Sequence, residues 1–367
     1  MKGVKVTRRQ RNMYIIRNAL THHFSSIPIR SIYTFLAGNR SKATRKLPIR
    51  SLFTMANNND NNGNTDQTES TILRYQHDAS ILSLRTKITS FRPLSDLSEA
   101  NRGLFKAVSP DPEQDFILTA EETIFHPQGG GQPSDEGSIT ILSPHNPREG
   151  EGNGKAQSPE TTAPTTPPQP TLEMRLARHE TSNPNLVLHL VRFSNNNTTT
   201  NTSLPQSSTS ILLTVDATKR TLYSRLHTAG HVLGGAVRST VSASVENFSE
   251  LKASHFPESA SCEFSGLISG DWKGPIQTKV DEIVASAEPV QIGFWGKEDF
   301  AREGLERLIP EGWDWEQGGK LRVVRIGEVD VYPCGGTHVA TTDLCGSVGV
   351  RKISRQKGVS RVGYTVT

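Results

Sequence analysis

The sequence predicts an α+β protein: an N-terminal series of short strands that fits a small β-barrel or sandwich, then a part of mixed helix and strand whose first helix opens at Asp216. Three observations point there. Short runs over 72–125 alternate apolar with polar residues and are broken by turn residues, the pattern of half-buried strands. After Asp216 the period becomes helical, with Leu222, Leu226, Ala229 and Val232 on one face. Beyond about residue 260 strand and helix patterns mix without an internal repeat, as α+β domains do.

A chain of 367 residues can hold two domains, each with its own core. No run approaches the ~20 apolar residues that a membrane-spanning helix needs. The three cysteines, Cys262, Cys334 and Cys345, are an odd number in a long chain, which argues against a disulfide framework and for a reducing compartment. The formal charge is +4, yet residues 1–59 carry twelve Lys or Arg and no acid, so the remainder carries −8. Any binding of nucleic acid must therefore rest on a local basic patch, because phosphate attraction follows the clustering of cations.

Residues 1–54 are rich in Arg, Ser and Thr, the composition of a mitochondrial-type targeting segment or an upstream extension, with Met55 as a second possible start. Both starts together would serve a cytoplasmic and a mitochondrial form. An Asn-rich linker over 55–70 follows. The barrel domain is expected over 71–215, with strands over 72–75, 79–84, 114–119, 122–125, 172–176, 186–193 and 211–215. Polar inserts near 143–170 and 195–210 interrupt it and extend hairpins outward, which loop-closure entropy tolerates. The metal-binding domain is expected over 216–367. In it Asp216 caps the first helix and Gly234-Gly235 closes or kinks it. Further helices are expected over 279–287 and 300–308, and strands over 260–264, 290–294, 321–326 and 346–351.

Two motifs carry chemistry. In Arg225-Leu-His-Thr-Ala-Gly-His231, His227 and His231 stand four apart, so a helix puts both imidazoles on one face. In Tyr332-Pro-Cys-Gly-Gly-Thr-His338, Cys334 and His338 flank two glycines that let the chain bend sharply. Together they make a tetrahedral donor set of the zinc type, one zinc per chain. A zincin protease is excluded because Thr228 stands where its catalytic Glu belongs. A zinc finger is excluded because its ligands lie close together in one small module. A third segment, His126-Pro-Gln-Gly-Gly-Gly-Gln-Pro-Ser-Asp135, can bring backbone close to a ligand and offers the Gln132 amide; read alone it is equally an ordinary hairpin turn.

In combination these three motifs resemble the AlaX family of freestanding alanyl-tRNA editing proteins, which are similar to the editing domain of alanyl-tRNA synthetase. The resemblance runs from about Ile72 to the C-terminus, apart from the inserts. It implies an ATP-independent, zinc-dependent deacylase that acts in trans on the ester of mischarged tRNA(Ala), Ser-tRNA(Ala) first. It implies a glycine-rich N-terminal β-barrel followed by an α/β-sandwich editing domain, with metal ligands at His227, His231, Cys334 and His338 in the cleft between them. It also implies a substrate-reading surface at Thr123, Gly130, Gly131 and Gln132; His126 stands where many relatives have Tyr and receives no role.

The chemistry agrees with the donors. Protein-held zinc polarises an ester carbonyl or brings the pKa of a bound water towards ~7. Four protein ligands leave no open position, so one ligand would have to yield, and His231 or His338 would then shuttle a proton. Lys219, Arg220, Arg225, Arg351, Lys352, Arg355, Lys357 and Arg361 are the candidate tRNA phosphate contacts. The chain is expected to work as a monomer or weak dimer without an obligate protein partner. Other readings are threonyl-type editing of Ser-tRNA(Thr), a noncatalytic tRNA-binding relative, and a recruited small-ester hydrolase.

Overall fold

The computed structural model of the protein describes residues 69–109, 112–142, 169–194 and 204–367. The expected targeting segment, nearly all of the linker and most of both inserts lie outside the described residues. Among the described residues no helix is long and apolar enough to cross a membrane.

The described residues open with β1 (Ile72–Leu73), then β2 (Ser83–Pro93), α1 (Glu99–Gly103), β3 (Phe116–Ala120), β4 (Glu122–Thr123), β5 (Gly137–Ile141), β6 (Thr171–His179), β7 (Val187–Phe193) and β8 (Ser210–Val215). Six of these close an antiparallel barrel in the order β2-β3-β7-β6-β5-β8, with β8 returning to pair with β2. Its interior holds Leu118, Ile139, Leu172, Met174, Val191 and Leu213, all fully buried. A strand expected over 79–84 instead begins at Ser83 and runs to Pro93. Arg85 and Lys87 disguise it: they face solvent while Thr86 and Ile88, which alternate with them, are buried, the alternation of a half-exposed stave. The strand β5 was not expected, because Gly137-Ser-Ile-Thr-Ile is short and follows the glycine-rich segment directly.

The barrel also encloses a histidine. His189 Nδ1 donates to Leu118 O at 3.0 Å, so its Nε2 accepts from the Thr123 hydroxyl at 2.8 Å, and Thr123 Oγ1 in turn accepts from Phe125 N at 3.1 Å. This network satisfies the neutral ring, and burial pushes its pKa down to about 4. An unfolded histidine near 6.5 takes up protons before the folded one does, so stability is full above pH ~6.5 and is lost as pH falls towards ~4. At pH 5 His189 alone removes about 2 kcal/mol. Urea midpoints at pH 7.5 and 5 should show the loss, and His189→Gln should show a smaller difference between the two.

Asp216 follows β8 directly and caps α2 (Ala217–Val241), its carboxylate accepting from Lys219 N at 3.0 Å. The helix runs straight through Gly234-Gly235, where a stop or kink was expected. Close packing explains the glycines: a Cβ on Gly235 would come 2.7 Å from Val329 Cγ1. Next come β9 (Ser249–Ser254), β10 (Ser261–Ser265), α3 (Lys273–Ala285), β11 (Val290–Trp295), α4 (Lys297–Glu303), α5 (Trp315–Gly318), β12 (Leu321–Ile326), β13 (Asp330–Pro333), β14 (Val348–Gln356) and β15 (Val359–Val366). The helix expected over 300–308 is shorter because Gly304 takes a left-handed C-cap, and a 3-10 turn over Glu306–Leu308 follows.

A four-stranded antiparallel sheet, β14-β15-β10-β9, carries α2 and α3 on one face, with Leu226, Val232, Val237, Ile276, Phe264 and Tyr364 in the shared core. A second antiparallel sheet, β11-β12-β13, packs Leu321 and Val323 against Phe300 of α4. The described residues form a mixed α+β protein with a six-stranded barrel; the α+β class and the barrel were expected. Residues of α2 and of the segment after β13 form the site.

Candidate metal centre

One donor atom from each of His227, His231, Cys334 and His338 lies within 4.8 Å of the other three. Two come from one face of α2 and two from the turn that follows β13. Cys334 Sγ stands 3.3 Å from His227 Nε2 and 3.4 Å from His338 Nε2. The turn is narrow at Gly336, where a Cβ would fall 2.1 Å from His227 Cε1, so only glycine lets the second motif close over the first.

Each imidazole is held from behind through Nδ1. His227 meets Gln132 Oε1 at 2.6 Å, His231 meets Asp330 Oδ2 at 3.2 Å, and His338 meets Thr228 Oγ1 at 3.1 Å. Thr337 N also donates to Gln132 Oε1, at 3.0 Å, which fixes that atom as the carbonyl oxygen and His227 Nδ1 as the donor. The lone pair of His227 is therefore on Nε2, facing the cluster. Outer partners of this kind orient metal-binding histidines.

The electrostatics suit the donors. Burial, with the neighbouring histidines adding to it, holds His227 and His338 well below the ordinary histidine range. Burial opposes a charge on His231, but Asp330 and Cys334 outweigh it and push its pKa up to about 10. Burial likewise opposes the Cys334 thiolate, yet His231 and Arg322 keep the thiol below its usual value. A thiol held below its usual range and two neutral imidazoles are ready donors for a zinc-like cation, and His231 must release a proton to join them.

Other expected site residues are placed differently. Gly130 and Gly131 line a cavity of about 480 Å³ that also borders His227, His231 and Cys334. Gln132 is fully buried, and its Nε2 donates to Thr337 Oγ1 at 2.9 Å, so its amide is committed to His227 and Thr337 rather than open to a substrate. Thr123 is also fully buried, bonded to His189 inside the barrel, and does not reach the cavity. His231 and His338 have Nδ1 engaged and Nε2 at the cluster, so neither has a nitrogen free for proton transfer while it stays in the donor set. Gln132→Ala is accordingly expected to weaken metal binding ~10–100-fold, the usual effect of losing such an outer partner. Chelator competition measures this; unchanged affinity with an altered serine-to-alanine ratio would restore the substrate-reading role.

The expected phosphate contacts divide as well. Arg220 is 3% exposed and paired with Asp135, so it cannot meet a phosphate. Arg225 is a brace within the protein, donating to Cys345 O at 3.0 Å and Thr367 O at 2.7 Å. Lys219 pairs with Glu136, and Arg361 donates to Ser261 Oγ at 2.8 Å. Arg351, Lys352, Arg355 and Lys357 are exposed on the β14–β15 hairpin, without an ion pair among the described residues. Lys357 and Gly358 both take positive φ, 51° and 78°, so the hairpin tip turns in two residues and presents this row of cations.

Thr228, Thr337, Asp330 and His255 also serve the centre, in roles that the sequence does not suggest. The two threonines lie inside the quoted motifs. Asp330 stands four positions before Cys334 with nothing to flag it. His255 stacks on His227 at 4.2 Å between ring centroids, and its Nδ1 meets the Tyr364 hydroxyl at 2.6 Å, a pairing with no local signature.

The profile of the threonyl and alanyl tRNA synthetase second additional domain matches residues 321–362, the stretch that carries Cys334 and His338. Among individual relatives, the alanyl-tRNA editing protein AlaX-L of Pyrococcus horikoshii is 25% identical over 265 residues, 71% of this chain and 54% of that protein. An alanine–tRNA ligase of Thermotoga maritima is 30% identical over 150 residues, 41% of this chain and 16% of the ligase. The chain is similar to AlaX-L and spans about half of its length.

Proposed function

We propose that this protein is a zinc-dependent aminoacyl-tRNA deacylase that clears a wrong amino acid, serine first, from tRNA(Ala) in trans. The observation that carries the reading is the centre itself: three imidazoles held through Nδ1, with their Nε2 atoms grouped around the sulfur of Cys334. Homology to an alanyl-tRNA editing protein supplies the substrate class. In this reading residues 71–215 form a barrel domain, residues 216–367 form the editing domain, and the zinc lies in the cleft between them.

His227, His231, Cys334 and His338 would hold the metal. Zinc so held supplies Lewis-acid polarisation of the ester carbonyl and acidification of a water molecule. Gln132, Asp330 and Thr228 fix the rings. His231 is the residue placed to take a proton once its Nε2 leaves the donor set, because its ring borders the cavity and Asp330 steadies the charged form. Gly130 and Gly131 shape the cavity wall, and the β14–β15 hairpin receives the phosphate backbone.

Zinc-loaded protein incubated with Ser-tRNA(Ala) and Ala-tRNA(Ala) should release serine and spare alanine. Reversing Arg351 and Arg355 together to Glu should slow tRNA turnover and flatten its salt dependence while leaving a small aminoacyl ester untouched. Intact Ser-tRNA(Ala) after prolonged incubation with zinc-loaded protein would overturn the reading.

A further inference from the structure

Three carboxylates line the cavity beside the centre, and two are already occupied. Asp330 divides its oxygens between His231, at 3.2 Å, and Arg238, at 2.7 Å. Glu263 pairs with Lys252 at 3.4 Å. Glu250 gives only Oε1 to Arg238, and its Oε2 has no partner among the described residues. That oxygen lies over α2 at Gly234, where a Cβ would come 3.5 Å from it. Gly234 follows His231 by three positions and His227 by seven, so it shares their face of the helix, about 5 Å beyond His231 and about 10 Å beyond His227 along the axis.

We propose that Glu250 Oε2 binds the α-ammonium group of the aminoacyl ester and makes a free amine a condition of turnover. The inference rests on the aminoacyl-ester reading above. In an α-amino ester the ammonium nitrogen lies about 2.5 Å from the carbonyl carbon, so an ester seated at the donor cluster carries its ammonium into the same cavity that Glu250 lines. A cation in the donor set repels that ammonium, and a facing carboxylate offsets the repulsion. Arg238 holds the other oxygen of Glu250 and links it to Asp330, so the free oxygen is fixed in place. Burial also raises the Glu250 carboxyl above its usual range, against the pull of Arg238.

The test uses zinc-loaded full-length protein and two non-hydrolysable probes, 3′-deoxy-3′-(L-serylamino)adenosine and its des-amino counterpart. The wild type should bind the amine probe at least ~10-fold more tightly, as a charge-assisted contact requires. Glu250→Gln should bring the two within ~2-fold of each other with zinc content unchanged, and Glu250→Asp should keep part of the preference. Wild-type protein should also hydrolyse Ser-tRNA(Ala) faster than N-acetyl-Ser-tRNA(Ala). Equal binding of the two probes by wild type, or an undiminished preference in Glu250→Gln, overturns the inference. A clear probe preference without hydrolysis of any aminoacyl-tRNA leaves the subsite standing and removes the hydrolase reading instead.

Discussion

Cys334→Ser is expected to empty the metal centre and abolish deacylation while leaving the fold in place. Cys334 contributes the one anionic donor of the four, and its sulfur lies within 3.4 Å of both His227 Nε2 and His338 Nε2. A serine hydroxyl is neutral at pH 7 and is a harder donor, so it replaces neither the charge nor the softness of the thiolate. Zinc retained after gel filtration should fall from about one equivalent to less than about a tenth. Serine release from Ser-tRNA(Ala) should fall at least ~10³-fold, or about 4 kcal/mol of barrier, because the polarising cation is gone. Circular dichroism should be unchanged, since the cysteine packs at the margin of a small cluster with Val324 and Ile326 rather than in either main core. A variant that lost its zinc yet kept its rate would show that the metal is structural. One that kept both would show that three histidines suffice.

The donor set was legible because its information is local. Two i, i+4 pairs are spacings that a single sequence displays, and a Cys among histidines narrows the metal. The barrel was legible for the same reason wherever its strands alternate cleanly, as in β6 and β7. β9 was missed because it is an edge strand: Ser-Glu-Leu-Lys-Ala-Ser buries little on either side, and its hydrogen bonds with β10 hold it in place. The outer partners of the histidines were harder still. Gln132 was noticed as a polar group in a flexible loop, which suggested a substrate contact; only the fold brings it to His227, 95 residues away. The same limit applies to charge. A run of basic residues at a helix start reads as a phosphate surface, and sequence does not say that Asp135 comes back from the barrel to take one of them.

That residue, Arg220, should prove among the least replaceable in the protein for reasons of stability rather than tRNA binding. Its Nε lies 3.0 Å from both Asp135 oxygens, Nη2 donates to Asp135 and to Ile124 O, and Nη1 donates to Ala79 O at 2.7 Å. Asp135 also accepts from His126 N at 2.7 Å, so the pair ties the first turn of α2 to the segment that delivers Gln132. Arg220→Ala leaves a fully buried carboxylate without its counter-charge and should destabilise the protein by about 3–5 kcal/mol in urea titrations. Metal affinity should fall with it, since Gln132 is three residues from Asp135. Much of the loss belongs to the orphaned charge, so Arg220→Met with Asp135→Asn should be markedly more stable than Arg220→Met alone. A phosphate contact would give the opposite pattern: unchanged stability, weaker tRNA binding and a salt slope lower by about one.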